Sequence, residues 1–292
     1  MADTTANPRS RALASALRNA RLAAGLGVRE VARQLGMAHT TISQWETGKR
    51  IPALADLTAM LTAIGLAGEQ QETILQLARD LPSHHRMTST GPGLPPYLEG
   101  VMECERTAAE IVDWSPLAIP DLLQTAAYAT EVIGDDDALT RAEVRAAVEL
   151  RLSRRSALAE GAEYTALIGE WALRQRVGGA AVLVEQLKHL VKPGRQAQVT
   201  VRVVPIGAGW HPGLTGPFTL YNFADAASVA YLPSLRAGRF GYDEAEVTAY
   251  KVASAALRRT ALSQEDSVPF INTLIKKLEK NAARRSPGPK RG

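Results

Sequence analysis

Residues Val28 to Arg50, VREVARQLGMAHTTISQWETGKR, constrain the fold more than any other stretch of the chain. Two short runs of helix-spaced apolar residues, one with Val31, Ala32 and Leu35 and one with Ile42 and Trp45, flank Gly36-Met37-Ala38. A glycine there lets the backbone turn sharply, so the two helices must meet at a tight angle. Ala32 is small where the helices would cross. With Ile42 and Trp45 facing inward, His39, Thr40, Ser43 and Gln44 fall on the opposite face of the second helix. All four can hydrogen-bond and none is apolar, which is what a surface must offer to read base edges in a major groove. A bundle whose polar face is merely solvated is the plainer alternative. Spacing, turn, inward residues and the following Gly48-Lys49-Arg50 agree instead on a base-reading helix.

The flanking residues extend this pair into a bundle. Leu13, Leu17, Ala20 and Ala24 recur at helical spacing before it. Thr47-Gly48 ends the second helix in the manner of a left-handed cap, and Pro52 can open a further helix with Leu54, Leu57, Leu61 and Ile64 on one face. Gly65 and Gly68 separate that from a last helix containing Ile74, Leu75 and Ala78. The expectation is an all-α, five-helix domain over residues 1–81. The run TISQWETGKRIP resembles the Xre-type, lambda-repressor-like helix-turn-helix family, over roughly residues 11–80. That resemblance implies that His39, Thr40 and Gln44 read bases with Ser43 between them. It assigns Lys49 and Arg50, together with Arg29 and Thr41, to the phosphate backbone. Ala38 stands where the family usually has a hydroxyl cap, and Val28 where it usually has a polar phosphate contact.

Charge follows the same division. Residues 1–89 carry 10 basic and 7 acidic side chains, residues 90–275 carry 17 and 22, and residues 276–292 carry 7 and 1. Two basic ends flank an acidic middle, so a polyanion would meet the ends. Solubility alone would equally explain the basic tail, 285–292. One cysteine, Cys104, excludes an intrachain disulfide framework and a cysteine zinc cluster. No run of eighteen apolar residues occurs, and the first residues lack a secretory pattern, so a cytoplasmic protein is expected, drawn to the nucleoid by its DNA.

Residues 82–96, PSHHRMTSTGPGLPP, read as a linker. Beyond it, residues 97–160 read as helical, with Val101, Cys104, Ala108 and Ile111 in one stripe and a long helix from about Thr140 to Glu160. Tyr164–Ile168 and the alternating Val199, Val201 and Val203 read as strands, with a helix through Leu183, Leu187 and Leu190 between them. Two short strands, at about 218–223 and 228–232, follow a glycine-rich loop at 207–217, and two helices close the chain. An α+β domain over 97–284 with a small antiparallel sheet is expected.

The segments DWSPLAIPDLLQTAAYA, RLSRRSAL, EWALRQRVGG, EQLKHL and VTVRVVPIGAGWHPGLTGPFTLYNF resemble the C-terminal domain of actinobacterial antitoxin-like transcriptional regulators. That resemblance implies a small partner protein, encoded nearby, and a developmental or stress role. Glu170, Trp210 and His211 are the candidate ligand or partner residues of this half. A Glu/His pair can also be read as acid–base machinery, but no nucleophile stands at a known spacing. There is no phosphate-cradling GxxxxGK[ST] and no GxGxxG after a strand, so no enzyme and no cofactor is expected. His84-His85 reads as incidental more readily than as a metal site. Arg151, Arg154 and Arg155 read as a solvated or ion-paired face more readily than as a second DNA contact. Together these features point to a DNA-binding transcriptional regulator, a homodimer on a near-palindromic operator. An antitoxin-like module that sequesters a partner and autoregulates is the alternative, and a small-molecule sensor built on the 207–217 loop is a third.

Overall fold

Four of the N-terminal helices stop where a glycine adopts a left-handed backbone that other residues avoid, and in three of these turns the residue after the glycine is apolar. The structure, a computed structural model, describes residues 8–48, 50–79, 86–88, 96–136, 139–159, 161–192, 198–224, 226–235, 237–241 and 243–285. Its first helices are α1 (Pro8–Ala23), α2 (Val28–Gln34), α3 (His39–Glu46), α4 (Leu54–Ala63) and α5 (Glu69–Arg79). Gly25, Gly36 and Gly65 follow α1, α2 and α4 with φ of 71°, 64° and 75°. After each, the next amide donates back into the helix just ended: Leu26 N–H to Arg21 O (3.2 Å), Met37 N–H to Ala32 O (2.9 Å) and Leu66 N–H to Leu61 O (2.9 Å). Leu26, Met37 and Leu66 are themselves apolar and pack on a core that includes Leu17, Val31, Ile42, Trp45, Leu57 and Leu61. One local device thus ends a helix and anchors the turn.

The chain continues through β1 (Arg86–Thr88) and α6 (Pro96–Thr107). Residues 80–85 and 89–95, with His84-His85, lie outside the described residues. Helix does not continue from 97 to 160 as the spacing predicts, because residues 110–115 form strand β2 (Glu110–Ser115). Val101, Cys104, Ala108 and Ile111 are all buried, but Ile111 reaches the interior from the strand. Ile111, Val112 and Trp114 favour a pleated surface, and pairing with a distant strand overrides a helical spacing that merely runs on. Next come α7 (Ala126–Gly134), α8 (Arg141–Ser153) and α9 (Ser156–Ala159). Thr140 opens α8 with a capping box: its hydroxyl accepts from Glu143 N–H, and the Glu143 carboxylate accepts from Thr140 N–H at 2.7 Å. The expected single helix to residue 160 is interrupted at Arg154-Arg155. The remaining elements are β3 (Glu163–Gly169), α10 (Gly179–Leu190), β4 (Val199–Val204), β5 (Phe218–Asn222), β6 (Val229–Ser234), β7 (Ala237–Gly241), α11 (Glu244–Thr260) and α12 (Gln264–Arg285).

The chain divides into two compact units, Met1–Ala108 with Tyr221–Thr248, and Ala109–Leu220 with Ala249–Gly292. In the first, α1 packs against α3, α5 and α6, and α6 lies against β1 and β7. Strand β7 pairs antiparallel with β6 on one side and β1 on the other. Sequence reading missed β7, whose AGRFG is poor in strand formers. Its Gly238 is required because a Cβ there would collide with the Tyr231 ring.

In the second unit β2, β3 and β4 are parallel, with Ile111 opposite Tyr164 and Tyr164 opposite Val199. This corrects the expected antiparallel sheet. Helices stand between successive strands, α7 to α9 before β3 and α10 before β4, so each strand restarts from the same end. Tyr164 to Gly169 is buried throughout, as the middle strand of a parallel set must be. Helix α12 packs on β4 and α10. Arg202 of β4 donates to the carbonyls of Arg258, Ala261 and Leu262, closing the C-terminal end of α11.

Candidate nucleic-acid interface and the strand-end loop

Helix α3 is sharply two-sided. Ile42, Trp45 and Glu46 are buried, whereas His39, Thr40, Ser43 and Gln44 are all exposed, as the spacing predicts. Thr41 is half-buried at the edge between them. Ala38 supplies no side-chain cap, so the first turn of α3 lacks the hydroxyl acceptor usual there. Arg29 is exposed on α2, and so is Arg33 one turn later. Sequence reading left out Arg33, although its four-residue offset from Arg29 puts both on one face. Arg50 is exposed, and its N–H donates to Gln44 O at 3.2 Å, tying the residue after the cap to the end of α3. Lys49 lies outside the described residues. Gly48 has φ of 70°, a left-handed backbone, while its Cβ position would stand at ordinary contact distance, 3.7 Å, from Ser10 O of α1.

A buried ion pair fixes this helix in place. Arg21 of α1 meets Glu46 at the end of α3 side-on, with Nε donating to Oε1 at 2.6 Å and Nη2 to Oε2 at 2.7 Å. Its third donor, Nη1, reaches Leu26 O at 2.8 Å in the turn before α2. Both side chains are under 10% exposed, at 8% and 5%. Hydrogen bonding to Glu46 holds the Arg21 guanidinium above its ordinary pKa. One guanidinium therefore couples α1, the turn into α2 and the C-terminal end of α3. No sequence signal exposed the pair, because its members are 25 residues apart and each reads as an ordinary surface charge.

The candidates of the second unit have different fates. Glu170, just past β3, is buried; its carboxylate accepts from Arg174 and, through Oε2, from Ile206 N–H at 2.8 Å. It thereby ties the end of β3 to the residue two past β4. His211 is buried against Trp114, with ring centroids 5.6 Å apart and the planes near perpendicular. Its Nδ1 has no hydrogen-bond partner, and burial lowers its pKa below the ordinary 6.5. Trp114 Nε1 donates to Gly213 O at 2.8 Å. Gly213 must be glycine, because a Cβ would stand 2.7 Å from the indole. The loop leaving β4 is thus carried back across β3 to β2, over the carboxyl ends of all three strands. Trp210, beside His211, is exposed. Among the described residues no group of three His, Cys, Asp or Glu is placed to hold a metal ion, and no helix is long and apolar enough to cross a membrane.

The bundle and its two-sided helix define the class: the N-terminal part of this protein is a helix-turn-helix domain, and residues 12–74 match the family profile of that description. Residues 98–273, more than half of the chain, match the domain of unknown function DUF5753, and the chain belongs to that family. No curated protein and no solved structure matches it.

Proposed function

We propose that this chain is a sequence-specific, DNA-binding transcriptional regulator of the Xre type that acts as a homodimer in the cytoplasm. One observation carries the reading: α3 buries its whole apolar face and presents His39, Thr40, Ser43 and Gln44 outward, with Arg29 and Arg50 on neighbouring segments. Short hydrogen-bonding side chains on a helix match the donor and acceptor pattern of a major groove, and flanking guanidiniums match phosphates. One such helix covers only a few base pairs. Two half-sites about one helical turn apart, roughly 34–36 Å, give useful specificity and require two copies. The C-terminal region supplies association or effector binding.

The test is fluorescence anisotropy of the full chain on DNA upstream of its own gene, at low and physiological salt, against scrambled competitor. Tight binding that resists competitor and weakens steeply with salt is expected. Gln44→Ala should cost about 1–3 kcal/mol at one operator position and relax preference there. Arg50→Ala should weaken every sequence about equally. A Gln44→Ala variant with unchanged preference at every position refutes the docking.

A further inference from the structure

Among the described residues of the second unit, five of nine exposed large apolar side chains, both tryptophans included, gather at one end of its parallel strands. Val132, Leu139, Val252 and Val268 lie apart, on or beside its helices. Leu117 lies two residues past β2, Trp171 two past β3 and Ile206 two past β4, and all three are exposed. Ser115 is opposite Ile168 and Gly169 opposite Val204, so the three strand ends are level. The loop that returns from β4 to β2 over this edge adds exposed Trp210 and Leu214. By contrast, α1 to α5 expose only Leu22 and Leu54 as large apolar side chains among the described residues. An exposed apolar set of this extent marks a surface that is covered in use.

Resting on the homodimer reading above, we propose that this edge is where a second copy of the chain docks, the same surface of each copy facing the other. Two observations select that occupant. Residues 116–120 and 205–217 contain no Lys, Arg, Asp or Glu. The carboxylate of Glu170 is buried and paired with the exposed Arg174, so that charge is balanced, which leaves Arg176 unbalanced at the margin. An edge so nearly free of charge can face its own copy without like-charge repulsion, as an isologous contact requires. The area also fits. At 55% and 78% exposure the two tryptophans offer roughly 300 Å², and with the three aliphatics roughly 600 Å², most of the ~800 Å² that each partner of a standard interface buries.

The chain's four tryptophans make the test direct, since Trp45 and Trp114 are buried while Trp171 and Trp210 are exposed. Sedimentation equilibrium on the full chain should show a dimer. Diluting it to monomer should red-shift the emission and increase acrylamide quenching. Trp210→Glu and Trp171→Glu should each weaken the dimer at least tenfold, while at concentrations where wild type and variants are all monomeric their melting temperatures stay close. Leu235→Glu, at an exposed position on the β6–β7 turn, should leave it intact. A wild-type dimer whose emission is unchanged on dilution, or that both variants leave undisturbed, overturns this surface and spares the homodimer reading. A wild type that is monomeric at every concentration and binds DNA one to one overturns both. If a variant fails to fold, dilution of the wild type still decides.

Discussion

Helix α3 and the parallel strands β2 to β4 each bury an apolar row, yet they leave opposite things outside. The helix leaves four hydrogen-bonding side chains; the strand ends leave two tryptophans and three aliphatics. In the helix, Ile42 and Trp45 account for all the large apolar side chains, so what remains exposed is free to be selected for recognition. At the strand ends the interior is already filled by Trp114, His211 and the loop across them, so Trp171 and Trp210 leave more than half of their surface outside the core. Polar outside over a finished core suits a polyanionic, groove-lined partner. Apolar outside over a finished core suits a protein surface.

Stability measurements can break this contrast or sharpen it. The largest expected effect is at the ion pair that aims α3. Glu46→Ala leaves Arg21 buried and unpaired, and chemical denaturation should show a loss of about 3–5 kcal/mol. Arg21→Met with Glu46→Leu should cost much less, because neither buried charge remains. Equal losses in the single and double variants would mean that the pair's shape, and not its charge, holds the helix. Gly36→Ala comes next. Nothing lies within 4 Å of the added methyl, so only the left-handed backbone resists it, at about 1–2 kcal/mol. No change in midpoint would show that the turn can relax.

Ala38→Ser should act in the other direction, adding up to about 1 kcal/mol by supplying the missing cap. Its effect on operator affinity is informative: weaker binding would show that the uncapped amides of α3 meet the DNA. The smallest effect is at His211. Its folded pKa lies below 6.5, so the unfolded chain takes up a proton first as pH falls. Stability is therefore whole above pH 6.5 and declines as pH drops from there toward the folded value. His211→Gln should flatten that slope, and an unchanged slope would place the dependence elsewhere.

The helix-turn-helix was legible because its signals are local. Gly36, Ala32, Ile42 and Trp45 lie within fifteen residues, and a glycine followed by an apolar residue punctuates three of the helix ends. What stayed hidden depends on partners far along the chain. The Ile111 stripe continued a helical spacing until β3 claimed it as a strand. Ala237–Gly241 looks like a loop until Tyr231 requires Gly238 beside it. Arg21 and Glu46 reveal nothing singly. Trp210 and His211 were recognisable as a loop of interest, but the sequence could not separate the exposed ring from the buried one. Nor could it show that Glu170 serves as a clasp between two strand ends.

The first unit is discontinuous in sequence, since its helices close on a hairpin drawn from residues 221–248. During synthesis the helix-turn-helix bundle can form early from local contacts, but β6 and β7 emerge only after most of the second unit. A nascent chain must therefore hold α6 without its strands while the intervening residues are made. Assembly of this unit is timed by the ribosome as much as by its own stability. A premature stop before residue 221 would release a folded helix-turn-helix head on an unfinished base.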